Sequence, residues 1–154
     1  GFPYVPLDPA EPPRIDGPDP DQTAIGAYPH EIVDGWLAMP PGAQPESPQR
    51  RLTLKAFVRP SLGLMAFFHQ RHLLVIRAQL VPVEDLHPEQ AFVEIYRGAG
   101  TTPEHDILEL EMHGPYETLA PGASMSFEQT FEVLDYDGEH TPAAHLERLA
   151  ELAP

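Results

Sequence analysis

An all-β fold, an antiparallel β-sandwich carrying one short C-terminal helix, is predicted by two features of this sequence. Apolar and polar residues alternate with a period of two over several runs, and Gly- and Pro-rich corners separate those runs. Only Pro142–Leu152 has a helical pattern, so the βαβ alternation of a parallel sheet is absent. The clearest region runs from Glu89 to Leu134. In Asp106–His113, Leu108, Leu110 and Met112 point one way and Glu109, Glu111 and His113 the other. In Met125–Val133, Met125, Phe127, Phe131 and Val133 are expected to share a buried face. The corner between these runs, HGPYETLAPG, offers a Pro that cannot donate to a ladder and a Gly that tolerates positive φ.

From the N-terminus, residues 1–49 read as a Pro-rich extended arm. Twelve of the 20 prolines fall before Gln49, and each X-Pro pair pushes its first residue toward extended geometry, which forbids a helix. AIGAY and IVDGWLAM within this region suggest one or two short strands. Residues 50–154 read as the sandwich portion. RLTLKAFV puts Leu52, Leu54, Ala56 and Val58 on one face. LGLMAFF is apolar on both faces, and LLVIRAQLV sends Leu74, Ile76, Ala78 and Leu80 inward with Arg77 and Gln79 outward. Residues 82–90 form a loop, AFVEIYR a further strand, and PAAHLERLAEL a short amphipathic helix over 142–152 with Pro in its first turn.

Composition narrows the partners. The net charge of −15 is spread unevenly, at −6, +2 and −11 over residues 1–50, 51–100 and 101–154. Such a surface repels phosphate, so neither nucleic acid nor an anionic membrane is an expected partner. The longest apolar run, LGLMAFF, is far short of the ~20 residues that cross a bilayer. With no cysteine in the chain, disulfides and thiolate chemistry are excluded. The eight histidines show no convergent ligand spacing: His69 and His72 straddle a turn, and His105 and His113 lie far apart along extended chain. No metal and no cofactor is therefore expected.

Three segments in order, KAFVRPSLGLMAFFHQRHLLVIRAQL, HPEQAFVEIY and LELEMHGPYETLAPGASMSFEQTFEVL, resemble the C-terminal half of galactose-mutarotase-like proteins. These are the β-supersandwich folds that include aldose 1-epimerases, and the likeness covers residues 50–135. Its best motif is Glu109-Leu-Glu-Met-His-Gly-Pro followed by Leu119-Ala-Pro-Gly. The resemblance implies half of a supersandwich, and hence a chain that lacks an N-terminal portion or completes its sheets as a homo-oligomer. It also implies a strand glutamate acting as general base on a sugar's anomeric hydroxyl. Glu111 matches that position best, with Glu109 beside it. The histidine acid of the family has no counterpart around His30, His69 or His72.

The candidate site therefore comprises Glu111 and Glu109 as catalytic carboxylates, and Glu94, Arg77, Tyr96, Trp36 and His113 as ligand-binding groups. Carboxylates and Arg suit sugar hydroxyls, while Trp36, Tyr96, Tyr28 and Tyr116 offer rings for the apolar face of a pyranose. Glu94 and Tyr96 are expected to share a face with Phe92. The expected function is saccharide binding without covalent chemistry. Alternatives are an aldose 1-epimerase-type enzyme using Glu111, and a structural module whose exposed sheet serves assembly.

Overall fold

A computed structural model describes residues 1–17, 25–43, 45, 51–100 and 106–152. Eleven strands and one helix are laid out along them. They are β1 (Phe2–Pro6), β2 (Arg14–Asp16), β3 (Ile25–Ala27), β4 (Glu31–Val33), β5 (Trp36–Ala38) and β6 (Arg51–Val58). Then follow β7 (Leu64–His69), β8 (His72–Ala78), β9 (Val93–Ala99), β10 (Ile107–Met112), β11 (Gln129–Asp135) and α1 (Pro142–Leu152). A six-stranded sheet has the order β11-β8-β7-β1-β5-β4. A five-stranded sheet has the order β10-β9-β6-β2, with β3 also paired to β6. The pairings are antiparallel except for β3 with β6.

The two sheets and the helix make three layers with two separate apolar interiors. Between the sheets lie Val5, Leu37, Met65 and Ile76 from one side and Leu54, Val58, Val93 and Ile95 from the other. Between the six-stranded sheet and α1 lie Tyr4, Phe68, Leu73, Val75 and Leu149. Burying each such aliphatic side chain is worth about 1.5–3 kcal/mol relative to exposure. This arrangement explains why LMAFF is apolar at every position: β7 lies in the middle layer and is covered on both faces.

Residues 1–17 and 25–43 are woven in more deeply than an extended arm would be, and supply five strands. β1 lies inside the six-stranded sheet, where Tyr4 pairs with Ala66 of β7 on one side and Ala38 of β5 on the other. Its prolines are tolerated because their carbonyls still accept: Met39 N–H donates to Pro3 O, and Ser61 N–H to Pro6 O at 3.1 Å. β4 and β5 form a hairpin whose Asp34 and Gly35 both have positive φ, +48° and +80°. Asp-Gly suits that type I′ geometry.

β11 departs from the expected burial. The strand covers 129–135 rather than starting at Met125, and Phe131 and Val133 are 62% and 66% exposed. Their face does match that of Ile76 and Leu74 on β8, so the alternation is correct. The cover is missing, because β11 is an edge strand and the five-stranded sheet does not reach over it. Leu80 is likewise partly exposed rather than inward. No helix among the described residues is long and apolar enough to cross a membrane.

Candidate functional site

The outward face of the five-stranded sheet, away from both apolar interiors, carries a close group of charged side chains. Alternation sends Lys55 out of β6 between Leu54 and Ala56, and Glu94 out of β9 between Val93 and Ile95. Glu111 leaves β10 between Leu110 and Met112, and His113 follows two residues later on the same side. Registry then brings them together. Glu94 is opposite Glu111 across the β9–β10 pair and opposite Phe57 across the β9–β6 pair.

Lys55 Nζ sits between the two carboxylates. It lies 3.0 Å from Glu94 Oε2 and 3.1 and 3.2 Å from the oxygens of Glu111. His113 Nε2 faces the same pair, 3.6 Å from Glu94 Oε1 and 3.4 Å from Glu111 Oε2. That nitrogen is buried and has no hydrogen-bond partner among the described residues. Glu94 is the deepest member at 5% exposure, and its Oε1 also accepts the Ala91 N–H at 3.2 Å. A carboxylate so deeply buried must be paired and hydrogen-bonded, and here it is both. Burial works against the Lys55 ammonium, but its hydrogen bonds to Glu94 and Glu111 outweigh that and hold its pKa above the ordinary 10.5.

Glu94, Glu111 and His113 each offer a ligand atom, all within 4.8 Å of one another, which is a spacing that a metal ion could bridge. Lys55 already supplies the positive charge between the two carboxylates, so an incoming cation would have to displace it. Chemically, the group can accept hydrogen bonds from hydroxyls through Glu94 and Glu111 and donate them through Lys55. His113 and Glu111 stand close enough to exchange a proton through a bound hydroxyl.

Of the residues singled out from the sequence, the structure brings Glu94, Glu111 and His113 together. Tyr96 and Glu109 are paired one step along the same face, with the Tyr96 ring half-exposed above Gly98. Arg77 and Trp36 belong to the six-stranded sheet on its helix side. Arg77 Nη2 donates to the Leu152 carbonyl at the end of α1, and Trp36 packs against the interior beneath that helix. Neither shares a face with Glu111. Phe92 turns into the core instead of joining Glu94 and Tyr96, and Tyr28 is also buried there, its hydroxyl donating to the Pro40 carbonyl. Tyr116 is exposed and edge-on to His87.

Lys55 was not singled out from the sequence, although it is the centre of the group. The alternation of RLTLKAFV shows that it points outward, but nothing local shows that β6 lies beside β9. The same holds for Arg14, whose guanidinium stacks on Phe57 at 3.6 Å and extends this face toward β2. A cleft of about 170 Å³ lined by Arg14, Phe57, Gln90 and Ala91 opens next to Glu94's backbone partner. Larger clefts of about 370 and 380 Å³ flank the Leu80–Pro82 corner and hold none of the four charged residues.

A family model described as a domain of unknown function, DUF4380, matches residues 3–134, and the chain belongs to that family. No curated protein matches the chain, and no solved structure does.

Proposed function

We propose that this DUF4380 member binds a saccharide non-covalently on the outward face of its five-stranded sheet. One observation carries the reading: Lys55, Glu94, Glu111 and His113 converge beside the half-exposed Tyr96 ring. Sugar hydroxyls come in adjacent pairs that a carboxylate accepts well, and an ammonium donates to the remaining lone pairs. An aromatic ring next to such a group suits the C–H face of a pyranose. The likeness of residues 50–135 to galactose-mutarotase-like proteins supports the same ligand class.

Calorimetric titration with a panel of neutral and acidic monosaccharides tests the proposal. Saturable binding to one of them is expected. Glu111→Gln should weaken it at least tenfold, because one charge-assisted hydrogen bond contributes about 1.5–3 kcal/mol. Silence across the panel, or affinity indifferent to Glu111→Gln, would remove the assignment.

A second reading is favoured by the 3.4 Å approach of His113 Nε2 to Glu111 Oε2. In an aldose 1-epimerase-type reaction Glu111 would take the anomeric proton while His113 donates to the ring oxygen. Polarimetry on fresh α-galactose or α-glucose separates this from simple binding. Acceleration that disappears in both Glu111→Gln and His113→Asn would promote the enzyme reading. Binding without acceleration would leave the first.

A further inference from the structure

On the opposite side of the molecule, α1 is joined to the six-stranded sheet by buried polar groups that the saccharide reading does not use. His145, on the first turn of α1, is fully buried among Tyr4, Phe68, Tyr136 and Phe2. Its ring stacks on Phe68 with centroids 3.9 Å apart. Its two nitrogens are both engaged: Nδ1 with the Tyr4 hydroxyl at 3.0 Å, and Nε2 with His140 Nδ1 at 3.1 Å. The chain of contacts ends where His140 Nε2 meets the Gln70 carbonyl at 2.6 Å.

The last contact fixes the direction of all the others. A carbonyl can only accept, so His140 carries its hydrogen on Nε2. A neutral His140 then presents a lone pair at Nδ1, and His145 must donate to it from Nε2. That leaves a lone pair on His145 Nδ1, which the Tyr4 O–H fills. The Tyr4 hydroxyl and the four ring nitrogens of His140 and His145 are all satisfied in this one arrangement.

A proton added at His140 reverses the chain. His140 Nδ1–H would donate to His145, and His145 Nδ1–H would point at the Tyr4 oxygen. The Tyr4 hydrogen would then lose the acceptor it has in the docked arrangement, inside an apolar interior. A second proton, on His145, would set two N–H groups against each other.

We propose that α1 is a clasp released by acid, held on the six-stranded sheet by a one-way hydrogen-bond relay that only neutral His140 and His145 can complete. Release would uncover the second apolar interior, including Phe68, Leu73 and Val75. His140 is exposed and borders a cleft of about 280 Å³ shared with Gly1, His69 and Gln70, which gives the proton a way in. The titratable neighbours are Tyr4, Tyr136, His69 and the Gly1 amino group, with Glu31, Glu139 and Glu147 further out. Burial, and then the nearby His140, push the His145 pKa from 6.5 down to about 4. Docking is therefore favoured in full above pH 6.5 and loses that advantage as pH falls toward 4. The shift corresponds to a roughly 300-fold weaker proton affinity in the docked state, and to about 25-fold more opening of α1 at pH 5 than at pH 7.5.

Two measurements on the unaltered chain test this. Long-range 15N correlation spectra at pH 7.5 should show both His140 and His145 with the proton on Nε2. An Nδ1–H tautomer in either ring would overturn the relay. Amide exchange of α1, corrected for intrinsic rates, should rise about 25-fold between pH 7.5 and 5 while β9 stays protected. A flat α1 rate, or loss of protection in step with β9, would overturn the clasp. His145→Phe keeps a ring in the aromatic box and should abolish the pH response, and a response that persisted would count against the assignment. If that variant does not fold, the tautomer measurement still decides.

Discussion

Replacing Lys55 by Met puts the outward-face group under the sharpest test. The thioether keeps most of the side-chain volume but removes the ammonium from between Glu94 and Glu111. At contacts of 3.0–3.2 Å, each ammonium–carboxylate attraction is worth up to about 5 kcal/mol at an effective dielectric near 20, before desolvation and side-chain entropy are charged against it. Removing one partner of a fully buried pair costs about 3–5 kcal/mol, because the other charge is left uncompensated. Here Glu94 is buried, but the Lys55 side chain is 25% exposed and that of Glu111 is 34% exposed. Water screens part of the effect, so Lys55→Met should destabilise by about 2–3 kcal/mol. In a domain of this size that lowers Tm by about 5–10 °C. Denaturant titration at pH 7 measures the loss, and two further readings identify its cause. Adding Glu94→Gln to Lys55→Met should recover at least about 1 kcal/mol, since one of the repelling charges is gone. The deficit should also shrink as ionic strength is raised, because salt screens the same repulsion. A loss under about 0.5 kcal/mol, with no recovery in the double variant, would show that the cluster is an ordinary solvated surface.

The same variant gives a second outcome. In the unaltered chain Glu94, Glu111 and His113 offer ligand atoms within 4.8 Å of one another, with the Lys55 ammonium between the two carboxylates. Lys55→Met should therefore take up Co²⁺ with a visible d–d spectrum that the parent chain lacks, and Glu111→Gln should erase it. At the β11 edge, Phe131→Lys should change stability by no more than about 0.5 kcal/mol, because that ring is already exposed. If sheet edges join in an assembly, the same change should lower the mass seen by light scattering toward 17.1 kDa. An unchanged mass would set the assembly reading aside.

Much of the fold was legible because its signals are local. The alternation in β6, β8, β9 and β10, and the span of α1, follow from residues within each segment. The double-sided apolar run in β7 correctly reported a layer covered on both faces. The Asp34-Gly35 pair is also a local hairpin signal, stronger than the reading of one or two loose strands made of it. Other features depend on neighbours far away in the chain. Nothing in Phe2–Pro6 says that it will be enclosed by β7 and β5, and its prolines argue the other way. Only the surrounding carbonyl and amide pattern, with Met39 and Ser61 as donors, makes them acceptable. Phe131 and Val133 failed as core residues for the complementary reason. Period-two patterning tells which face is apolar, but whether another layer lies over it is decided by the opposite sheet.

The site divides along the same line. Glu109 and Glu111 could be paired on paper because they share a strand, and His113 continues their face. Glu94 could be named as a polar interruption in an apolar strand, without any indication that it would stand opposite Glu111. Lys55 could not be named at all, since a lysine in an alternating strand is the commonest of solvent-facing residues. What gives it importance is the order β10-β9-β6, which sets Glu111 opposite Glu94 and places Lys55 in the adjacent row, opposite Tyr96. Arg77 shows the converse. Its type suited a sugar site, but β8 lies in the other sheet, and its guanidinium instead fastens the end of α1. The clasp, too, depends on residues 141 positions apart, Tyr4 and His145, whose meeting follows only from the placement of β1 in the sheet that α1 covers. Chemistry in this protein is thus set by strand order more than by motif. The Lys55 and His145 experiments probe that order directly, since each removes a group whose only significance comes from its neighbours in the sheet.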